Sequence, residues 1–231
     1  MSVLIPAVFV GFIALVAVVA VVGYLQAKRR REGMAAYALS RGWTYSEDDP
    51  SLLDRFEDAP FGEGQDRRAF NVLRGTDRDR PVVVFDYEYV TTSTSTDADG
   101  HTKTETHTHS FSVVAVNAGT VMPALSVTPE GMFSRFFGRL TNSDIELESE
   151  DFNRAFRVTC PNRRFASDVL HPRMMEMLLQ WPDLAWRFDA DSLLAVTDGG
   201  QDVAGFEAKL SALDAILDQV PDFVWKEVRG Q

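Results

Sequence analysis

The first 31 residues constrain this chain more than any other part of it. An uncharged, apolar run extends from Ser2 through Ala27. A cluster of four basic residues follows it directly: Lys28, Arg29, Arg30 and Arg31. About 20 apolar residues in a helix cross a bilayer core of roughly 30 Å, so the run is long enough to span a membrane. We therefore predict one N-terminal transmembrane helix in residues 1–31 and a folded domain in residues 32–231.

The basic cluster predicts which way this helix lies. Positively charged residues next to a transmembrane helix stay in the cytoplasm. A secretory signal has the reverse order, with its positive charge before a shorter apolar region, so we expect no cleavage here. The sequence predicts a single-pass protein of the cell membrane, with Met1 outside and the domain after Arg31 in the cytoplasm. In this orientation the basic cluster contacts the lipid bilayer.

The rest of the chain has the composition of one globular domain with an acidic surface. The whole chain is 45% hydrophobic and 25% charged, which is ordinary for a folded protein. Residues 35–231 carry 19 Lys and Arg against 33 Asp and Glu, a net charge of −14. Such a domain repels nucleic acid, so we expect no nucleic-acid partner. The single cysteine, Cys160, allows no internal disulfide, which agrees with a reducing compartment.

Alternation of β-forming residues predicts an antiparallel sheet. Residues 81–92 and 104–117 both alternate, and the turn signal Asp99-Gly100 lies between them, so they form a long β-hairpin. A tight hairpin is predicted from residues 184–188 and 192–196. Further strands are predicted at residues 43–45, 69–74, 123–127, 145–148 and 156–160.

Helical patterns complete the predicted fold. Apolar residues recur at spacings of three and four from Val203 to Val220, and Pro221 ends this helix. Pro172 suits the first position of a helix that continues to Gln180. Shorter helices are predicted at residues 32–40, 52–56, 131–140 and 165–170. Together the patterns predict an α+β fold, an antiparallel sheet with helices packed against it.

Two histidines on the second strand of the long hairpin are candidate metal ligands. A His-x-His pair such as His107 and His109 places both rings on one face of a strand, where they can share a divalent metal with a third ligand. Glu88, on the partner strand, is the candidate third ligand. The alternative is a solvated polar hairpin end that tolerates Thr and His as β-formers.

The register of the hairpin decides whether Glu88 can join the histidines. A two-residue turn at Asp99-Gly100 places Val90 opposite His109 and makes Glu88 a diagonal neighbour of that histidine. A shift of one residue reverses the facing and brings Tyr87 and Tyr89 to the histidine side instead. Both registers are open at this point.

Other groups of reactive side chains lack the spacing of a catalytic site. A thiolate at Cys160 with His171 as its base has no geometric support in the sequence, and a buried structural cysteine is the simpler interpretation. The acidic residues Glu148, Glu150 and Asp151 are typical of a solvated surface or a helix N-terminus. The glycines at residues 61–64 lack the rest of a nucleotide-binding motif, so we predict a loop.

One segment resembles a known group of proteins. The residues concerned are the block Glu148-Ser-Glu-Asp-Phe-Asn-Arg-Ala-Phe-Arg-Val, then Phe165-Ala166, then Leu170-His-Pro-Arg-Met-Met-Glu. They resemble an uncharacterised family of membrane-anchored bacterial proteins, common in actinobacteria and related to a broader domain of unknown function. The resemblance implies a bacterial, membrane-tethered α+β domain and names no catalytic residue or cofactor.

These observations lead to two functional hypotheses. The first is a non-enzymatic domain, tethered to the inner face of the membrane, that binds another protein or a small ligand. It rests on a clear anchor and on the lack of a catalytic pattern in the sequence. The alternative is a membrane-tethered metal-binding or hydrolytic domain that uses His107, His109 and Glu88.

Overall fold

The computed structural model describes residues 4–96, 102–131, 145–200 and 202–230, with side chains from residue 14 onward. Residues 132–140 of a predicted helix and the predicted Asp99-Gly100 turn lie outside these ranges. The described helices are α1 (Leu4–Ser40), α2 (Glu150–Ala155), α3 (Arg163–Val169), α4 (Pro172–Leu178), α5 (Val203–Gln219) and α6 (Asp222–Val228). The described strands are β1 (Thr44–Asp48), β2 (Gln65–Asp77), β3 (Arg80–Thr96), β4 (Thr102–Asn117), β5 (Leu125–Pro129), β6 (Phe156–Thr159), β7 (Trp186–Asp189) and β8 (Ser192–Asp198).

The eight described strands form one antiparallel sheet, which confirms the predicted α+β class. Their order across the sheet is β1-β2-β3-β4-β8-β7-β5-β6. The first four strands form a meander in chain order, and the predicted tight hairpin β7-β8 lies beside β4. The short strands β5 and β6 complete the far edge. The sheet thus joins an N-terminal meander to strands from the second half of the chain.

Most predicted elements are present, and the differences have local causes. The long hairpin, α4 with Pro172 in its first turn, and α5 are confirmed. Residues 145–148 form no strand, although the Ile145 amide donates to the Val158 carbonyl. Residues 150–155 form α2, in agreement with the helix N-terminus that is one of the two interpretations of its acidic residues, and the Ser149 side chain caps the helix by accepting a hydrogen bond from the Phe152 amide. The helix expected at residues 52–56 is a single 3-10 turn, Pro50–Leu52.

The sheet buries both of its faces. Alternate residues of β3 point to opposite faces, so Val82 and Val84 contact the helices while Phe85 and Tyr87 lie on the other face. The helical face holds the larger core, into which α5 inserts its apolar side. On the other face the segment after β1 covers the sheet with Leu52, Phe56 and Phe61.

The helix α1 is continuous from the apolar N-terminal run into the domain. Its last turns contribute Met34 and Ala38 to the core, and the ring of Tyr37 packs edge-on against Phe206 of α5 at 4.9 Å between centroids. Gly42 ends this segment in a left-handed turn with φ of 67° and leads the chain into β1. In the part of the chain that the structure describes, no helix has both the length and the apolar character needed to cross a membrane.

Candidate functional site

A buried polar site lies where α1 meets the sheet. Asp86 on β3 continues the row of Val82 and Val84 on the helical face, so its carboxylate is buried, with only 2% of the residue exposed. The guanidinium of Arg30 on α1 donates to Asp86 Oδ1 at 2.5 Å. We call this contact, together with its polar neighbours Tyr45, Asn71, Ser112, Thr197 and Lys209, the junction network.

On one side of Asp86 the junction network runs to the edge of the sheet. The Asn71 amide donates to Asp86 Oδ2 at 2.6 Å, and the Tyr45 hydroxyl donates to Asn71 Oδ1 at 3.0 Å. Asn71 has a left-handed backbone with φ of 51°, and it lies at an irregularity in the β2-β3 pairing between Phe70 and Leu73. This β-bulge turns the amide towards the carboxylate.

On the other side the network continues across the sheet to α5. Asp86 lies opposite Ser112, and Ser112 lies opposite Thr197, so the three side chains form a row across β3, β4 and β8. The Ser112 hydroxyl donates to the Gly199 carbonyl at 2.8 Å, and the Lys209 ammonium donates to Thr197 Oγ1 at 2.6 Å. The junction network therefore ties both α1 and α5 to the same polar row.

The backbone after β8 passes close to the guanidinium of Arg30 and restricts the position of this side chain. A Cβ atom added at Gly200 would lie 2.9 Å from the Cζ atom of Arg30, which is closer than side chains normally pack. A glycine at this position lets the backbone pass over the guanidinium. Arg30 is thus held between the β8-α5 connection and the sheet.

The four basic residues predicted to flank the membrane do not share one environment. Arg30 points into the domain and its side chain is only 24% exposed. Lys28 and Arg29 are exposed, and Lys28 lies 3.8 Å from Glu32 one turn along the helix. Arg31 is half-buried. The part of the basic cluster that faces solvent is therefore Lys28 and Arg29.

Burial gives Lys209 an unusual titration. Removal of the ammonium from water lowers the pKa of Lys209 from 10.5 to about 8. Between these values the unfolded chain binds a proton that the folded chain does not, so the free energy of unfolding should rise with pH from 8 to about 10. Urea unfolding across that range should show the rise. Lys209→Met should abolish this rise of the free energy of unfolding with pH, whereas the control Lys226→Met, at an exposed position, should keep it. The same rise in Lys209→Met as in the unsubstituted chain would contradict this account.

The strand pairing separates the predicted metal ligands. Of the two registers that the sequence leaves open, the one shifted by one residue is confirmed: Tyr89 lies opposite His109, and the register with Val90 in that place is wrong. The two rings stack at 4.8 Å, and His109 Nε2 lies 2.9 Å from Thr91 Oγ1. Glu88 is on the other face of the hairpin, where it accepts a hydrogen bond from Ser110.

The second histidine of the predicted site has an acidic neighbour of its own. His107 lies across from Thr91 on the face that carries His109, and its Nε2 atom is 3.8 Å from Glu105. Within the described ranges, no group of three or more His, Cys, Asp or Glu side chains is close enough to hold a metal ion. The structure therefore does not bring Glu88 together with the two histidines.

The remaining candidate residues have structural partners. Cys160 is buried, its thiol donates to the Asn162 carbonyl, and burial raises the pKa of the Cys160 thiol. His171 Nε2 lies 3.1 Å from the Gln219 carbonyl, so the ring bridges α4 to the end of α5. Glu150 and Asp151 lie in the first turn of α2, as expected of acidic residues at a helix N-terminus.

Sequence reasoning did not identify the junction network, although two signals for it exist. Asp86 is a carboxylate at an inward-facing position of an alternating strand, and such a residue needs a partner. Lys209 lies three residues after Phe206, which places it on the side of α5 that faces the sheet. The sequence does not indicate that Arg30 is the partner of Asp86, because Arg30 belongs to a basic cluster that is typical of a membrane flank.

No family model matches this chain, and no curated protein matches it. A crystal structure of the mycobacterial trehalose monomycolate transport factor A, TtfA, matches with a TM-score of 0.61 at 16% sequence identity, over 82% of this chain and 93% of that one. At this level of identity the match shows that the chain shares the fold of TtfA.

Proposed function

We propose that this chain is a membrane-tethered, non-enzymatic interaction protein whose acidic domain lies at the cytoplasmic face. The observation that carries the proposal is the change of environment along α1. Between Leu15 and Leu25 its large apolar side chains are 46–64% exposed, whereas Met34 and Ala38 are part of the core. Exposed apolar side chains in such number need an apolar covering, and the uncharged run that begins at Ser2 is long enough for a bilayer to supply it.

The junction network supports a fixed placement of the domain next to that anchor. The predicted boundary at residue 31 falls inside α1, and Arg30 on the anchor side is bonded to Asp86 of the sheet. Because α1 is continuous and its residue Arg30 is bonded to the sheet, the domain is held at one angle to the axis of this helix. This arrangement suits a protein that presents a surface to a partner in or at the membrane.

A non-catalytic role agrees with the surroundings of the reactive side chains. Cys160 and His171 bond to backbone carbonyls of different segments, and Glu150 lies in the first turn of a helix. TtfA, which shares the fold, is a transport factor for trehalose monomycolate. We propose for this chain a role of the same general kind, an accessory protein that binds a partner protein or a ligand and does not transform a substrate.

The metal-binding alternative stays a prediction. The strand pairing weighs against the full set of His107, His109 and Glu88, because Glu88 projects from the other face of the hairpin. Two histidines on one strand still provide a pair of ligands. A metal site there would need a third ligand from outside the predicted set.

Tethering and topology can be tested together in a bacterial host. With reporters fused after Gln231, the one that works in the cytoplasm should be active and the one that works outside should be inactive. The chain should stay in the membrane pellet after an alkaline wash. Val18→Arg combined with Val22→Arg should release it, because each arginine costs about 2.5–3.5 kcal/mol at the centre of a membrane helix.

The matched control for this release is Val18→Leu combined with Val22→Leu, which keeps both positions apolar. Release of the leucine variant would mean that the substitutions act on folding and not on the membrane. An active external reporter would overturn the proposed topology and place the acidic domain outside the cell. Photoreactive side chains on the domain surface would then test the interaction role in whichever compartment the reporter identifies.

A further inference from the structure

A second charged site lies at the other end of the domain, around α6. A cleft of about 310 Å³ opens there between the β2-β3 turn, the end of β4 and α6. The cleft is lined by Arg80, Ala118, Asp222, Trp225, Lys226 and Arg229, which we call the basic cleft. Because Arg80 is paired with Asp214 and Asp218 of α5, the positive charge of the lining comes from Lys226 and Arg229, against the carboxylate of Asp222. Residues 35–231 of the chain carry a net charge of −14. The basic cleft is therefore distinct in charge from the rest of the domain.

The walls of the basic cleft are held in place by contacts within the domain. The Arg80 guanidinium donates to Asp214 at 3.0 Å and to Asp218 at 2.6 Å, so α5 fixes this side chain. The Trp225 indole donates to the Val220 carbonyl at 3.2 Å. The guanidinium of Arg229 lies over the Trp225 ring, 5.4 Å from its centre. A rigid aromatic wall beside cations needs little ordering when it binds a ligand.

Apolar side chains are exposed on the elements that form the basic cleft. Phe223 is the neighbour of Asp222 on α6 and is 51% exposed. Val121, in the loop that continues from Ala118, is 67% exposed. Most other exposed large apolar side chains of the described chain belong to α1. Cations next to exposed apolar groups are typical of a surface that binds another protein.

The position of the basic cleft argues against a lipid headgroup of the same membrane as its ligand. Arg41, just after α1, donates to Asp77 at 2.7 Å, so the β2-β3 turn that carries Arg80 lies beside the C-terminal end of α1. About 22 Å of helix separates Ser40 from Leu25, the last residue of the exposed apolar stretch. The basic cleft therefore lies nearer to the C-terminal end of α1 than to the exposed apolar stretch that ends at Leu25.

We propose that the basic cleft binds an acidic segment of a partner protein. Carboxylates of the segment pair with Lys226 and Arg229, and an apolar side chain packs on Trp225. Charge complementarity carries the choice of partner, since Lys226 and Arg229 attract an acidic chain to the cleft while the predominantly acidic surface of the domain repels it. This inference rests on the proposed interaction function and names the surface and the partner class for it.

The test uses the full chain in detergent and a short, labelled peptide rich in Asp and Glu with one Phe. We expect saturable binding that weakens with salt. Lys226→Glu combined with Arg229→Glu should weaken binding on the order of tenfold or more. The control, Lys103→Glu combined with Arg154→Glu, makes the same change of net charge at exposed sites on β4 and α2 and should leave binding unchanged.

Four outcomes would overturn the proposal. The first is no binding by the unsubstituted chain, and the second is an equal loss of binding in the control variant. The third is displacement of the peptide by inorganic phosphate at the peptide's own concentration, which would indicate a small-anion site. Binding of anionic vesicles through Lys226 and Arg229 with the affinity of the peptide would also overturn it in favour of lipid. None of these results affects the reporter and membrane-pellet test, so failure of the basic cleft and failure of the tethered interaction role are distinguishable.

Discussion

Replacing Arg30 with alanine should destabilise the folded domain by about 3 kcal/mol, because it leaves the carboxylate of Asp86 buried without its cation. Asp86 keeps its hydrogen bond from Asn71 but loses the charge that balances it. Urea unfolding of the full chain in detergent measures the change, and hydrogen exchange in residues 30–40 should show α1 loosening from the sheet.

Two variants separate the ion pair from other effects of the substitution. Arg29→Ala changes an exposed neighbour on the same helix and should alter stability by about 0.5 kcal/mol or less. The double variant Arg30→Met with Asp86→Leu should recover most of the loss, because it removes both charges and keeps the volume. If Arg30→Ala were as stable as Arg29→Ala, the Arg30–Asp86 contact would not hold α1 to the sheet.

The second large effect is expected at Gly75, where β2 passes beneath the ring of Trp43. A Cβ atom at Gly75 would lie 2.1–2.3 Å from three atoms of that indole. Trp43 is buried, and its Nε1 atom donates to the Thr76 carbonyl at 3.2 Å, so the ring cannot move aside without losing both contacts. Gly75→Ala should therefore cost about 2 kcal/mol or more by overpacking, measured as a lower denaturation midpoint.

A glycine within α1 provides the matched control for this substitution. Gly33 has nothing within 4 Å of an added Cβ atom and lies inside a helix. Gly33→Ala should leave the domain unchanged or stabilise it by about 0.5–1 kcal/mol, since alanine loses less conformational entropy in a helix. A Gly75→Ala protein as stable as Gly33→Ala would show that Trp43 has room to move.

The periodic elements could be predicted from the sequence, whereas the register of the long hairpin could not. The helix α5 and the strands β3 and β4 are indicated by long, regular apolar patterns, which depend only on neighbouring residues. The register that pairs Val90 with His109 assumes a two-residue turn at Asp99-Gly100. Thr96 pairs with Thr102 instead, so five residues connect the two strands. Because side chains alternate, an error of one residue moves Glu88 to the wrong face.

The junction network depends on distant parts of the chain and was out of reach for pattern analysis. Arg30 and Asp86 are 56 residues apart, and nothing in either local sequence names the other. Basic residues after an apolar run are typical of a membrane flank, and the exposed Lys28 and Arg29 can still serve that role. Asp86 and Lys209 are charged residues at positions that face the core, but neither position identifies Arg30 as the partner of Asp86.

The continuity of α1 has a consequence for how the domain faces its surroundings. Each residue of an α-helix turns the next part of the chain by about 100° around the helix axis and advances it by about 1.5 Å. With Arg30 bonded to the sheet and no break between Leu4 and Ser40, the rotational setting of the proposed anchor in the bilayer is passed directly to the domain. A partner held in the same membrane would therefore meet one side of the domain. A single residue added before Lys28 would rotate the domain by about 100° relative to the anchor, so the partner would meet a different side.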